Sequence, residues 1–518
     1  MSLLGAISIA TGGLANVSAQ LALVSDNVAN ASTPSYSVES IESSSVTAGG
    51  VGMGVMTGPA VRSINQALQA ATLQQNATVA GLQTTQAALQ SIDALSGTPG
   101  QASDLGSLLG DVQNQFSTLL TDPSNATQQS AVVGSAATLV QGINTLSDGY
   151  TTQRQTAENN IVSEVGAVNT ALSTIGALST QIIALQAGGE STADLENQRD
   201  ATVQGLSQLL SVNVMTQPNG NMVVSTASGT TLPTTGSPGP LSVTGANVQP
   251  GSYYQSGAAG STIGAITLGE GTLGGVDVTQ QMTGGQLGAN ITLRDTTLPT
   301  YQAGLDEFSQ NMASQFSAQG LTLFTDPNGD VPAGGGSPVQ SGYVGFAAEI
   351  QVNPTVQANP SLVVNGTTAI AGSPTAASAF TPNPTGGPAG FTTLITRVLN
   401  YALGADAQSG VAQPAANTIG LGASGTLTAP YVAPATLGAF ATALTGEEAN
   451  DSANTTGQLS TEQAVQTTLN TQLTSQTGVN LDQQMSLMIQ LQNAYGANAK
   501  VMDVVQNMFT QLLDMVSS

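Results

Sequence analysis

The C-terminal residues 479–516 have the sequence VNLDQQMSLMIQLQNAYGANAKVMDVVQNMFTQLLDMV. Mostly apolar positions recur here four and three residues apart, which is the spacing of one face of an α-helix. A second apolar register lies beside the first, so this helix should pack against partners on two sides. The residues that we predict to form its assembly interface are Leu481, Met485, Met488, Leu491, Tyr495, Val501, Val505, Phe509 and Leu512.

The first residues of the chain repeat this pattern and supply a possible partner. A single stripe of this kind is typical of an ordinary core helix, but two stripes at opposite termini need another explanation, because chain ends are poorly ordered unless something holds them. Two exposed apolar faces would favour aggregation unless they pack together or on other subunits. We therefore predict a terminal coiled-coil pair made for assembly, with the N-terminal interface positions Leu3, Ile7, Leu14, Val17, Leu21 and Val28.

Composition limits the possible functions. The chain has 518 residues with 6 Lys and Arg against 30 Asp and Glu, a net charge of -24, which disfavours nucleic acid and anionic lipid as partners. The sequence contains no His and no Cys, so nucleophilic sites that use these residues, disulfides, and imidazole or thiolate metal sites are excluded. We predict no catalytic, cofactor-binding or metal site.

Neither a cleaved signal nor a membrane-spanning segment is expected. Residues 1–8 carry no Lys or Arg, and polar residues interrupt the apolar positions that follow. An uninterrupted apolar run of the roughly 18–20 residues that a transmembrane helix needs is not found. We therefore predict no membrane insertion. The low charge and the many Gly, Ser and Thr residues favour an extracellular protein.

Periodicity and composition divide the chain into alternating helical and β-rich parts, so the predicted fold is multi-domain α+β. Terminal helices form a coiled coil, long helices form a stem, and β-rich outer domains are inserted between the helical parts. The predicted segments are an N-terminal axial helix with an extended linker (1–58), a helical stem (59–215), a β-rich domain (216–283), a helix that returns to the stem (284–320), an outer Gly- and Thr-rich β domain (321–454), a stem helix (455–478) and the C-terminal axial helix (479–518).

Few residues suggest chemistry. Asp326, Asn328 and Asp330 have the alternate spacing of Ca²⁺ ligands, but Ser337 stands where an EF-hand loop needs its bidentate Glu, so a solvated turn is the alternative that we favour. Two further motifs, Arg199-Asp200 and Arg294-Asp295, contain two of the few basic residues. We predict that they form ion pairs or helix caps rather than contact a substrate. A carboxylate pair for glycoside hydrolysis stays open, although no cluster stands out.

Two terminal motifs resemble a known group of proteins. Residues 25–36, SDNVANASTPSY, are similar to the signature of bacterial flagellar rod, hook and hook-associated axial proteins, and residues 478–482, GVNLD, with the later Asn498, resemble their C-terminal motif. Internal stretches at 194–200 (DLENQRD) and 284–295 resemble the flagellar hook-associated protein 1 family. The residues that carry these motifs are Asn30, Thr33, Pro34, Tyr36, Arg199, Asp200, Arg294, Asp295 and Asn498.

The resemblance implies a structural, non-enzymatic subunit that joins the flagellar hook to the filament. The implied partners are further copies of the chain in a ring, the flagellar hook protein, the second junction protein (hook-associated protein 3) and a cytoplasmic export chaperone. It also implies an extracellular location at the hook-filament junction, reached through the flagellar type III pathway without a cleaved signal. Two alternatives remain: the hook protein itself, and a secreted protein that binds or cleaves surface glycan.

Overall fold

The computed structural model describes residues 3–48, 51–97, 100–101, 103–235, 239–257, 260–269 and 275–517. The side chain of Leu3 lies outside the described part, although its backbone opens the first helix. Long helices dominate, and short strands are scattered between them. This is the predicted multi-domain α+β class. The helices are α1 (Leu3–Ala29), α2 (Gln66–Ser96), α3 (Leu105–Leu119), α4 (Ala126–Gly188), α5 (Ala193–Leu209), α6 (Gly285–Thr292), α7 (Leu298–Ala318), α8 (Phe346–Glu349), α9 (Pro354–Ala358), α10 (Leu362–Asn365), α11 (Thr393–Arg397), α12 (Leu437–Thr477) and α13 (Leu481–Ser517).

All of the described strands form antiparallel pairs. They are β1 (Glu39–Ala48), β2 (Val51–Arg62), β3 (Val212–Thr216), β4 (Met222–Thr226), β5 (Thr231–Leu232), β6 (Leu241–Ser242), β7 (Thr267–Leu268), β8 (Val276–Asp277), β9 (Phe324–Thr325), β10 (Gln351–Val352), β11 (Asp406–Gln408), β12 (Val411–Ala412), β13 (Ile419–Leu421) and β14 (Leu427–Thr428). Two three-stranded sheets, β3-β4-β5 and β6-β7-β8, accompany four two-stranded ones. In β1-β2 the register runs from Glu39 opposite Arg62 to Ala48 opposite Val51.

The stem helices begin and end where the sequence supplies caps. Side-chain oxygens of Asn65, Asp104 and Asn125 accept backbone N–H groups in the first turns of α2, α3 and α4. Helix α4 is 63 residues long and ends at Gly189, whose left-handed backbone (φ 74°) stops the helix. The sequence therefore fixes this central rod, on which the other stem helices pack.

Two hydrophobic cores hold the stem together. The larger joins α2, α3, α4, α7 and α12 with the outer region and contains Phe116, Phe308 and Phe316, all fully buried. The smaller joins the second half of α4 to α5, α6 and the two three-stranded sheets, through residues such as Ile175 and Leu206. Each such side chain contributes roughly 1.5–3 kcal/mol to folding, so the stem has a core of its own.

Helix α12 extends further than predicted. The sequence places a stem helix at 455–478, but the observed helix already begins at Leu437. The Thr436 hydroxyl accepts the Ala439 N–H at 3.1 Å, and the buried Leu437, Phe440 and Leu444 pack into the larger core. Ala- and Thr-rich composition around these residues masks their helical spacing, which is why the start was assigned to the outer domain.

The outer region before α12 contains less strand than the term β-rich suggests. Between 321 and 436 it has three strand pairs of two or three residues and the short helices α8 to α11. Local helix signals are one reason for the low strand content: the Asn353 side chain, for example, caps a short helix that begins at Pro354. Likewise, the stem helix predicted from residue 59 is preceded by β2, which continues to Arg62.

Two helices, Gly5–Ala29 of α1 and α4, are long and apolar enough by composition to cross a membrane. The expectation of no spanning segment rests on the absence of an uninterrupted apolar run, and the length and mean hydropathy of these two helices do not support it. In the fold, α4 packs its apolar stripe into both cores, and α1 buries part of its own face against α13. Core helices commonly meet the same criteria.

Candidate assembly site

The first and last helices of the chain, α1 and α13, form an antiparallel pair, which we call the terminal pair. Near the end of α1, Asn27 Nδ2 donates to Gln484 Oε1 at 3.4 Å, at the start of α13. Further along, Gly13 allows a close approach, because a Cβ there would lie only 3.3 Å from Asn498 Nδ2. The pairing that the sequence predicts for the two stripes is therefore formed within one chain.

The hydrophobic core of the terminal pair is small. Val17, Val24 and Leu491 are its buried members, and Leu21 and Met488 pack partly buried against them. At roughly 1.5–3 kcal/mol for each buried side chain, these contacts offset little of the cost of ordering two long helices. The terminal pair therefore has much less burial than the stem to which it is attached.

Most of the predicted interface on α13 is exposed. Leu481 and Met485 are each 50% exposed, and Leu512 is 53% exposed. Tyr495, Val501 and Phe509 are also exposed, whereas Val505 is buried. On α1, the predicted positions Ile7, Leu14, Leu21 and Val28 are half-buried. Apolar side chains thus cover much of the surface of α13 that α1 does not reach, which is typical of an interaction site.

The β1-β2 hairpin lies along α1 and fixes part of its surface. Asn16 Oδ1 accepts the hydroxyl of Ser43 at 2.8 Å and that of Thr57 at 3.1 Å. Gln20 Nε2 donates to Ser43 Oγ at 3.0 Å. A two-stranded ribbon is marginally stable alone, so α1 and the hairpin support each other.

Asn27 is the centre of the connection between the terminal pair and the rest of the chain. It is 1% exposed, and its amide bonds both backbone groups of Glu39: Nδ2 donates to the carbonyl at 2.9 Å, and Oδ1 accepts the N–H at 3.0 Å. The same Oδ1 accepts the hydroxyl of Tyr36 at 3.0 Å. The N-terminal motif thus closes on itself and holds β1 against the end of α1.

The internal motif at 194–200 continues this network into the stem. Asn197 Nδ2 donates to Glu39 Oε1 at 2.8 Å, and its Oδ1 accepts the Ser37 N–H at 3.1 Å. Arg62 Nη1 donates to Asn197 Oδ1 at 3.1 Å and pairs with Asp200 at 2.8 Å. We call the set Asn27, Tyr36, Glu39, Arg62, Asn197 and Asp200 the joint, since it connects the terminal pair to α5.

Burial changes the pKa values of two side chains in the joint. Desolvation, and next the negative charge of Asp194, raise the pKa of Glu39 to about 7. Burial also raises the pKa of the Tyr36 hydroxyl, with a further contribution from Glu39. Because the pKa of Glu39 in the folded chain lies above its ordinary value of 4.5, this carboxylate weakens folding above about pH 7. The penalty fades as the pH falls from 7 towards 4.5.

The remaining residues of the N-terminal motif form a turn that leads into the joint. Thr33 N–H donates to Asn30 O at 2.9 Å, and Asn30 Nδ2 donates to Asp26 O at 3.1 Å. Pro34 follows at the turn where the helix has ended. Beyond it, Val38 N–H donates to Thr477 O at 2.7 Å, so the turn also touches the end of α12.

The two Arg-Asp motifs have different structural roles. Arg199 is buried and does not pair with Asp200; its Nη1 donates to Gly220 O at 2.7 Å, at the left-handed turn (φ 85°) between β3 and β4. Arg294, also buried, bonds both oxygens of its neighbour Asp295 and pairs with Glu158 on α4 at 2.6 Å. Arg199 therefore holds the β3-β4 turn against α5, and Arg294 holds the segment between α6 and α7 against α4.

In the candidate Ca²⁺ loop, backbone N–H groups of the loop itself bond to one of its carboxylates. Asp326 Oδ1 accepts the N–H of Asn328 at 2.9 Å and that of Asp330 at 2.8 Å, and these bonds lower the pKa of Asp326. In the part of the chain that the structure describes, no group of three or more His, Cys, Asp or Glu side chains is placed to hold a metal. A solvated turn stays the interpretation that we favour for these residues.

Sequence reasoning found the motifs but not their mutual contact. Asn27 and Asn197 each lie inside a quoted motif, yet nothing in their local spacing indicates that both bond Glu39. Arg62 is not among the site residues that we predict from the sequence. Arg62 lies at the end of strand β2, and such a position in a chain with only 6 Lys and Arg residues was the available signal.

Comparison with known proteins gives two family matches. Residues 89–331 match the family described as flagellar hook-associated protein FlgK helical domain. Residues 472–515 match the family described as flagellar basal body rod FlgEFG protein C-terminal. These segments contain most of the stem and nearly all of α13.

Individual relatives are similar over part of the chain. It is 26% identical over 336 residues to flagellar hook-associated protein 1 of Escherichia coli (strain K12), covering 62% of this chain and 58% of that protein. For the Salmonella typhimurium protein of the same name the identity is 27% over 328 residues, covering 60% and 56%. The solved flagellar hook junction protein FlgK from Burkholderia pseudomallei aligns with a TM-score of 0.41 at 23% identity, over 52% of this chain and 46% of that one. The chain therefore matches somewhat more than half the length of its curated relatives.

Proposed function

We propose that the protein is a structural subunit of the bacterial flagellum, because residues 89–331 match the FlgK helical-domain family and residues 472–515 match the FlgEFG C-terminal family. Its role is to join the hook to the filament as the first junction protein. The resemblance to the flagellar hook-associated protein 1 family, expected from the motifs, is confirmed by the family and relative matches.

The observation that carries this proposal is the uncovered apolar surface of α13. A helix with Leu481, Met485 and Leu512 at least half exposed is poorly suited to an isolated soluble chain. Packing among neighbouring subunits would bury these side chains. The partners that fit are further copies in a ring, the hook protein below and hook-associated protein 3 above.

The proposed mechanism couples ordering to assembly. The terminal pair buries few side chains of its own, so it gains most of its stability when neighbouring subunits cover α13. Before assembly, the same surface is a target for a cytoplasmic chaperone, and export proceeds through the flagellar type III pathway. We assign the chain a mechanical role rather than a catalytic one.

Immunogold labelling of purified hooks with attached filaments tests the location. An antibody against segment 227–450, in the outer part of the chain, should give a single band of gold at the hook-filament boundary. Gold along the whole hook would instead identify a hook subunit, and flagella without gold would favour a secreted glycan-binding protein.

A further inference from the structure

All five arginines of the chain are buried and engaged. The Arg62 side chain is 4% exposed, and Arg154, Arg199, Arg294 and Arg397 are each at most 7% exposed. Each donates to carbonyl, hydroxyl, amide or carboxylate oxygens inside the fold. None of these guanidinium groups is therefore available to another molecule unless the fold opens.

Lys500 is the sixth basic residue and the only lysine. It is exposed on α13, and among the described residues it has no salt-bridge or hydrogen-bond partner. Leu491, which packs on α1, precedes it by nine positions, and at about 100° per residue this places Lys500 on the opposite side of the helix. It therefore points away from α1.

Exposed apolar residues lie on the same side of α13. Val504, one turn after Lys500, and Ile489, three turns before it, are both 57% exposed. Asp503 is close in sequence, but no bond joins it to Lys500. The ammonium group thus lies within a surface that has the composition of an unfilled helix-packing site.

We propose that Lys500 forms an ion pair with a carboxylate of a second copy of this chain when the terminal pairs of neighbouring subunits pack together. This inference rests on the proposed function, in that it concerns the assembled form. With the arginines buried, any attractive side-chain ion pair between two copies must use Lys500. Exposed carboxylates on the terminal pair include Asp26, Asp482 and Asp503.

The low net charge of the terminal pair and its single ammonium group favour a second copy as the partner. The chain carries a net charge of -24, but the terminal pair contributes little of it, since α1 contains only Asp26 and α13 contains three aspartates with Lys500. Two terminal pairs can therefore approach with weak repulsion, and one ammonium beside a neighbouring carboxylate reduces it further. A nucleic acid or an anionic membrane would meet the repulsion of the whole molecule.

Because the chain has a single lysine, zero-length cross-linking tests this pair directly. A carboxyl group adds to a carbodiimide to form an activated O-acylisourea. The deprotonated Lys500 amine then attacks the carbonyl carbon, an amide bond forms, and the activating group leaves as a urea. The experiment uses purified hook-filament complexes from cells that produce the full chain, followed by denaturing gel electrophoresis and mass spectrometry of the cross-linked peptides.

We expect a product at twice the 51.6 kDa chain mass, in which a peptide with Lys500 is joined to a peptide from α1 or α13 of another copy. The variant Lys500→Arg keeps the charge but has no amine, so this product should disappear while incorporation stays normal. The variant Lys500→Gln should lower incorporation roughly 3- to 10-fold, because it removes the charge as well.

Three outcomes would overturn the proposal: absence of the doubled product, a Lys500 cross-link to a different protein, or a doubled product whose cross-linked peptides do not contain Lys500. Equal incorporation of Lys500→Gln and the native chain would also contradict it. Thermal unfolding of each variant, compared with the native chain, checks that folding is intact. If gold labelling places the chain at the junction but no Lys500 cross-link forms, this inference fails while the proposed function stands.

Discussion

Replacing Asn27 with alanine should loosen the joint without unfolding the stem. The native amide satisfies the N–H and carbonyl of Glu39 and the hydroxyl of Tyr36, and all three bonds lie between 2.9 and 3.0 Å. Alanine would leave these groups without partners in a site that is 1% exposed. Each unsatisfied buried group costs about 1–3 kcal/mol, and water entering the vacated space recovers part of this.

We expect a net loss of about 2–4 kcal/mol in the local stability of the joint, less than the sum of three full penalties because of this recovery. Since each 1.4 kcal/mol is a factor of ten, the amides of residues 36–39 should exchange with solvent roughly 30- to 1000-fold faster in Asn27→Ala. Hydrogen exchange followed by mass spectrometry measures this directly. Stem helix α4, which has its own core, should keep its native exchange rates.

Ser25→Ala is the matched control, because it alters the same motif at an exposed position whose hydroxyl donates to the Leu21 carbonyl at 3.0 Å and, among the described residues, to no other group. It should change exchange in the joint by less than about threefold. If Asn27→Ala exchanges no faster than Ser25→Ala at residues 36–39, the hydrogen bonds of Asn27 do not hold the joint. Equal acceleration in α4 would show that the effect is global unfolding.

Three further changes test other parts of the structure. Arg294→Met should lower the free energy of unfolding by about 3–5 kcal/mol in denaturant titrations, because Glu158 is left buried without its partner. Adding Glu158→Gln should recover part of the loss, and an Arg294→Met variant within about 1 kcal/mol of the native chain would contradict this. Burial raises the pKa of Glu448 from 4.5 to about 7, so its charge costs about 3 kcal/mol of stability above pH 7 and progressively less as the pH falls to 4.5. Glu448→Gln should therefore make the free energy of unfolding depend less steeply on pH across that window, and an unchanged pH slope would refute this. Phe509→Asp, at a 43% exposed position, should leave thermal unfolding of the free chain unchanged but abolish incorporation into flagella, whereas normal incorporation would remove Phe509 from the interface.

Local signals predicted much of the fold. The four-three spacing predicted the terminal helices, and local sequence also explains the connection between β3 and β4, where Gly220 of the Pro218-Asn219-Gly220 turn adopts the left-handed backbone that the turn needs. These elements are specified by residues close in sequence. The predicted domain limits, by contrast, remain predictions, because packing contacts alone do not show where one independently folding unit ends and the next begins.

The long-range contacts could not be predicted from local sequence patterns. A helix with two apolar registers does not reveal which one faces its partner, and in α13 that choice depends on contacts such as Gln484 with Asn27. The joint depends on Asn27 and Asn197 meeting at Glu39, although they lie far apart in the chain. Strands of two residues in the outer region are equally dependent on distant partners, as when β9 pairs with β10.

The most direct test of assembly through the terminal helices is hydrogen exchange over residues 3–29 and 481–517, in the free chain and in purified hook-filament complexes. We predict rapid exchange in the free chain, because the terminal pair has few buried side chains, and strong protection in the complexes. Full protection of both helices in the free chain, or equally rapid exchange in both states, would contradict ordering on assembly.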